Sequence, residues 1–126
     1  MSLNNLPRHR QYNAYVPALT ETTNVAASIA GIMKYSISGK LVEVSGVINV
    51  DPTAGSTYTI EIELPFGVDI TDAEDVSGIA VSDTALDTGA SRIVGDATNN
   101  TAKIIRAGNT ATAAHDVTVQ FSYIKR

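Results

Sequence analysis

Two histidines and thirteen carboxylates, with no cysteine, are the chain's first candidates for metal binding or acid–base chemistry. Without a thiolate, a zinc site would need His9 and His115 together with carboxylates, and no H-E-x-x-H or comparable spacing is present. His9 lies in a polar amino-terminal stretch and His115 opens the last strand pattern, so both read as structural or exposed residues. The densest acidic group is Asp69, Asp72, Glu74 and Asp75. Paired acids can hydrolyse glycosidic bonds, and converging oxygens can hold Ca²⁺. The D-x-x-D-x-E-D spacing lacks the glycine and the twelve-residue frame of an EF-hand, and it reads as a solvated acidic loop. A Ser-His-Asp set can be assembled on paper, but no G-x-S-x-G elbow supports it. The glycines are scattered about one per turn and form no phosphate-cradling loop. Asn99-Asn100-Thr101 fits an N-glycosylation acceptor, and with no secretory leader visible it is assigned no function. These residues lead to the expectation of no enzyme activity, no cofactor and no metal.

Charge narrows the partners. Ten acidic residues and no Lys or Arg fall between Leu41 and Ser91, while the cations, among them Arg8, Arg10, Lys34, Lys40, Lys125 and Arg126, sit toward the ends. Such an acidic middle opposes a phosphate-binding face, so nucleic acid is not an expected partner. The same asymmetry suits steering between neighbouring subunits. No run approaches 18 apolar residues, so no membrane insertion is expected.

The elements that must position these residues read as strands. Residues 1–13 are polar and aperiodic, an arm in which Tyr12, with Tyr15 just beyond, offers aromatic anchors. A short strand is expected near Ala14–Thr20, with Pro17 at an edge or end. Thr23–Met33 is ambiguous: its alanines favour a short helix or irregular link, and strand is expected only from Ile32. Met33, Tyr35 and Ile37 then alternate with polar residues up to the turn Ser38-Gly39-Lys40. Val42, Val44, Ile48 and Val50 share one face, with Gly46 at a bend and Leu41 and Val47 adding apolar area to the other. Tyr58, Ile60, Ile62 and Leu64 alternate against Thr and Glu, and this strand is expected to pair with the preceding one as a hairpin. Phe66, Val68 and Ile70 read as a rim loop tucked against the core. Further strands are expected at Gly78–Ser82, with Ile79 and Val81 in phase, at Ser91–Val94, at Ala102–Ala107 and at Val117–Tyr123. Strand lengths and turn spacing predict an all-β, antiparallel β-sandwich of jelly-roll-like form, with seven or eight strands in a single domain over 14–126.

Two stretches carry a resemblance: Tyr35 to Val50, Y-S-I-S-G-K-L-V-E-V-S-G-V-I-N-V, and Ile60 to Phe66, I-E-I-E-L-P-F. With the early Y-V-P-A-L-T, Tyr15 to Thr20, they resemble a β-rich module of tailed-bacteriophage structural proteins, in which an aromatic–x–Pro segment precedes a Tyr and Gly hairpin and a strand ending in Leu-Pro. Tyr15 stands where that module usually has Trp, and the likeness covers roughly residues 14–66. Such modules occur in tail-fibre tips, head fibres and capsid-decorating proteins, commonly as homotrimers. The resemblance therefore implies a virion protein assembled in the host cytoplasm, acting through a homo-oligomer on a capsid or tail protein. The short stretch before the first strand and the lack of a shaft repeat lead to the expectation of a decoration or head-fibre subunit. Tyr12, Tyr15, Phe121 and Tyr123 are the expected interface residues. The alternative is a carbohydrate- or receptor-binding tail-tip module, with a pocket between the loops Phe66–Asp75 and Thr84–Ser91.

Overall fold

The structure, a computed structural model, describes residues 12–53, 57–66, 70–83, 91–107 and 113–125. Ten strands occur among them: β1 (Asn13–Tyr15), β2 (Leu19–Thr23), β3 (Val25–Ala30), β4 (Met33–Ser38), β5 (Leu41–Pro52), β6 (Tyr58–Glu63), β7 (Val76–Ser82), β8 (Ser91–Asp96), β9 (Thr101–Arg106) and β10 (His115–Ile124). A 3-10 turn, Ala73–Asp75, leads into β7. Every pairing is antiparallel, and the strands join in one ladder, β1-β4-β5-β10-β7-β8-β9-β6-β2, with β3 also on β5. The expected all-β, antiparallel class holds. The architecture is a single curled sheet, a half-barrel, with ten strands where seven or eight were expected.

Alternation explains most of these strands. Along β10, His115, Val117, Val119, Phe121 and Tyr123 point inward and are buried, while the residues between them face out. Val42, Val44, Ile48 and Val50 of β5 meet them from the neighbouring strand. Tyr58, Ile60 and Ile62 of β6, with Ala102 and Ile104 of β9 and Ile93 of β8, complete the core from the other limb of the curl. A buried Ile or Leu side chain is worth roughly 1.5–3 kcal/mol, so these positions carry the fold.

Two expectations are corrected. Val25–Ala30 is strand, not helix: it pairs with Ile48–Pro52, and that ladder outweighs the helix propensity of three alanines. The predicted hairpin between the strands at Val42–Val50 and Tyr58–Leu64 does not form. Both edges of β5 are taken, by β10 on one side and by β3 and β4 on the other, so β6 crosses to the far limb and pairs with β9 and β2.

The segment from β1 to β3 laces the opening of the curl. β1 pairs with β4 at one end of the ladder, and three residues later β2 pairs with β6 at the other. Glu63 holds the crossing: its N–H donates to Ala18 O at 3.0 Å, and its backbone oxygen accepts the Tyr15 hydroxyl at 3.0 Å. Asn24, at φ 55°, turns the chain back, and its Nδ2 donates to Thr57 O at 2.8 Å. β3 then continues into β4 along the same edge of β5.

Candidate interface on the outer face of the sheet

Three residues, Gly31, Ile32 and Met33, stand against only two on β5, because Ala30 is opposite Ile48 and Lys34 is opposite Ser45. This bulge leaves Met33 fully buried and Ile32 69% exposed. Met33 fits because Gly46 has no side chain: a Cβ there would lie 2.6 Å from Met33 Cγ. The bulge thus fills the core and at the same time exposes an isoleucine.

Beside Ile32, at the bulge between β3 and β4, several exposed aliphatics lie on the outer face of β3, β5 and β7. Ile29 is 70% exposed, Ile79 and Val81 each 57%, and Val47 44%. Register makes them neighbours: Thr118 lies between Val47 and Val81, and Gln120 between Ser45 and Ile79. Asn49, opposite both Ile29 and Asp116, donates from Nδ2 to Asp116 Oδ1 at 3.0 Å on the border of the patch. Ile79 and Val81 are in phase, as their spacing predicts, and their phase is the outward one. Ala80 and Val76 take the inner positions on β7, where the approach of β10 leaves little room. Their signal in the sequence was β-branched residues flanked by Gly78 and Ala80, which leaves both faces of the strand plausible.

At Gly78 a Cβ would sit 2.2 Å from Gln120 O and 2.5 Å from Phe121 Cβ, so β7 sinks onto β10. Two shallow depressions flank it on the surface. One, of about 230 Å³, is lined by Glu43, Ser77, Ile79, Gln120 and Ser122. The other, of about 330 Å³, is lined by Glu74, Ser77, Arg92 and Val94 among others.

The expected interface residues lie elsewhere. Phe121 and Tyr123 are 2% and 1% exposed, and their rings stack in the core, which corrects their expected place on an open face. Tyr15 is half-buried; its ring meets Tyr35 edge-on, and Tyr35 meets Phe66 the same way. Burial, with the Tyr123 and Glu63 charges next, raises the Tyr15 hydroxyl well above the ordinary phenol range. Burial likewise pushes Tyr123 up to about 12, against the Phe66 backbone N–H, which favours the phenolate. Tyr12 is 63% exposed. The arm expected over residues 1–13 lies outside the described residues up to Gln11, His9 with it.

The groups weighed for chemistry are engaged in the fold. Asp75 Oδ2 accepts from Thr71 N, Thr71 Oγ1 and Asp72 N, which organises the turn before β7. Asp69 and most of the second rim loop lie outside the described residues. Glu61 is 3% exposed and accepts from Thr101 Oγ1 at 2.6 Å and from Asn99 Nδ2 at 3.0 and 3.2 Å. Asn99, the acceptor of the glycosylation triplet, is therefore tied to a buried carboxylate. The Lys103 ammonium, 3.0 Å from Asp96 and hydrogen-bonded to it, holds that carboxyl down at about 2, against the desolvation that opposes it. Arg106, 3% exposed, donates to Ala80 O at 2.6 Å where β7 and β8 part. His115 Nδ1 lies 3.0 Å from Ala113 O. Among the described residues no three His, Asp or Glu converge as a metal site, and no helix is long and apolar enough to cross a membrane.

Family models, curated proteins and solved structures give no match to this chain.

Proposed function

We propose that the protein is a non-enzymatic structural subunit of a bacteriophage virion, a capsid decoration or head-fibre protein, that works as a homo-oligomer with a trimer favoured. The observation that carries the reading is the outward aliphatic face of β3, β5, β10 and β7. Exposed β-branched residues on regular, well-paired strands form a preorganised surface, and burying them against a neighbour releases water at no cost in loop ordering. Binding then depends on shape and apolar area, with charge guiding approach. In this reading the curl is jelly-roll-like, its two limbs acting as the layers of a sandwich, and the subunit assembles in the host cytoplasm before joining a capsid or tail protein.

Sedimentation of the purified chain tests the proposal. A mass of two or more protomers at micromolar concentration, together with co-sedimentation with phage particles, is expected. A chain that stays monomeric and ignores particles would remove the reading.

A second reading, a glycan- or receptor-binding tip, is favoured by one feature. Tyr15, Tyr35 and Phe66 form a half-buried aromatic cluster with the Lys125 ammonium 6.0 Å from the Phe66 ring. Aromatic faces of this kind suit sugar rings, and a glycan array with Tyr35→Ala as control distinguishes it.

A further inference from the structure

We propose that the outer face seats a second copy of this chain, the β3–β4 rim of one protomer resting on the β7 side of the next. The inference rests on the homo-oligomer reading and adds which surfaces meet.

Shape comes first. Ile29 and Ile32, at 70% and 69%, are the most exposed large apolar residues among those described, and the bulge opposite Val47 turns Ile32 out from the rim. On the far side of the same face, β7 is drawn down onto β10 at Gly78, which leaves the two depressions beside Ser77 and Ile79. β5 and β10 lie between the rim and the depression at Glu74, Ser77 and Arg92, a separation of about 14 Å at the usual spacing of strands. A protomer cannot fold its own rim across a paired sheet to fill its own depression. A copy can, and each copy then gives one surface and receives the other, in a twofold pair or in a ring.

Charge agrees with shape. Lys34 is exposed beside Ile32 on the rim. Glu74 and Arg92 line the depression between β7 and β8, and Glu74 is the group that a copy's Lys34 would meet there. Area agrees as well. Ile29, Ile32, Val47, Ile79 and Val81 together expose on the order of 500 Å² of aliphatic surface, which in a twofold pair, where both surfaces of each copy are covered, is more than half of what each partner gives a standard interface.

Sedimentation equilibrium of the full chain, wild type and variants, tests this. The substitutions Ile32→Lys and Val81→Lys fall on exposed side chains, and an unchanged circular dichroism melt at low concentration checks that each variant folds. Each variant alone is expected to associate at least tenfold more weakly than wild type. Mixed together, they are expected to form a pair, because the intact rim of one meets the intact β7 side of the other. Lys34→Glu is expected to weaken association several-fold, and adding Glu74→Lys in the same chain to recover it. A wild-type oligomer unmoved by Ile32→Lys and Val81→Lys would overturn this inference and leave the homo-oligomer reading standing. Variants that weaken association singly and fail to pair when mixed would also overturn it. A wild-type chain monomeric at about 100 µM would remove both.

Discussion

At the scale of single residues, the fold is most exacting where one strand's backbone lies on another. Gly78 is the extreme case. An added methyl would meet the Gln120 carbonyl and the Phe121 backbone, neither of which can turn aside. Gly78→Ala is therefore expected to cost about 3 kcal/mol, the upper end for overpacking. Gly46→Ala first meets Met33, a flexible side chain, and should cost about 1 kcal/mol. Gly31→Ala, with Val47 O at 3.6 Å, should be close to neutral. Urea denaturation of the three variants reads the order directly, and an equal loss at all three positions would contradict it. Tyr123 makes the opposite case. Its hydroxyl is buried with only the Phe66 backbone beside it, so Tyr123→Phe should change stability near neutral pH by less than about 1 kcal/mol. The pH dependence follows from the raised folded-state value. A phenol near 10 when unfolded and about 12 when folded contributes stability that is whole below pH 10 and is lost as pH rises through 12. Tyr123→Phe should flatten the alkaline fall in the urea midpoint, with Tyr15 leaving a residual slope of the same sign.

At the scale of elements, alternation made β5, β6 and β10 legible, because large apolar residues at every second position leave one face for the core. What alternation cannot say is which strand lies beside which. Adjacent strands pair by default, and the predicted hairpin of β5 with β6 failed because β3, β4 and β10 occupy both edges of β5. β3 was hidden for a different reason. Its small residues, V-A-A-S-I-A, bury little, and its one large outward residue, Ile29, reads as core until the fold shows the face to be open. The same limit applies to Phe121 and Tyr123: alternation fixes that they share a face, and the fold shows that face to be the core. The lacing segment depends on Asn24, whose left-handed backbone turns β2 into β3. Asn24→Ala should cost about 2 kcal/mol, part backbone strain and part the lost bond to Thr57, while Asn24→Gly loses only the bond. Hydrogen exchange should show the loss concentrated in β2 and the start of β3. Uniform deprotection of the whole sheet would mean that the lace is not a separate element.

At the scale of the whole molecule, protection and exposure are divided between the two surfaces of one sheet. β10 is paired on both edges, over its full length with β5 and from Val117 to Tyr123 with β7, and its inner residues anchor the core. The outer surface of those same strands carries Val47, Ile79 and Val81. The part of the sheet paired on both edges is therefore also the part with unburied aliphatic area, so association there demands little ordering of the backbone. Mass action then sets the apparent stability: whatever binds the native state and not the unfolded chain raises its melting temperature with concentration. Calorimetric scans from about 1 to 100 µM should show a melting temperature that climbs with wild-type concentration, spanning the dissociation constants of interfaces this size. The Val81→Lys chain, which keeps the same core, should melt at one temperature across the range and coincide with wild type at the dilute end. A wild-type melting temperature independent of concentration would mean that the aliphatic face stays in water, and that the half-barrel is stable on its inner surface alone.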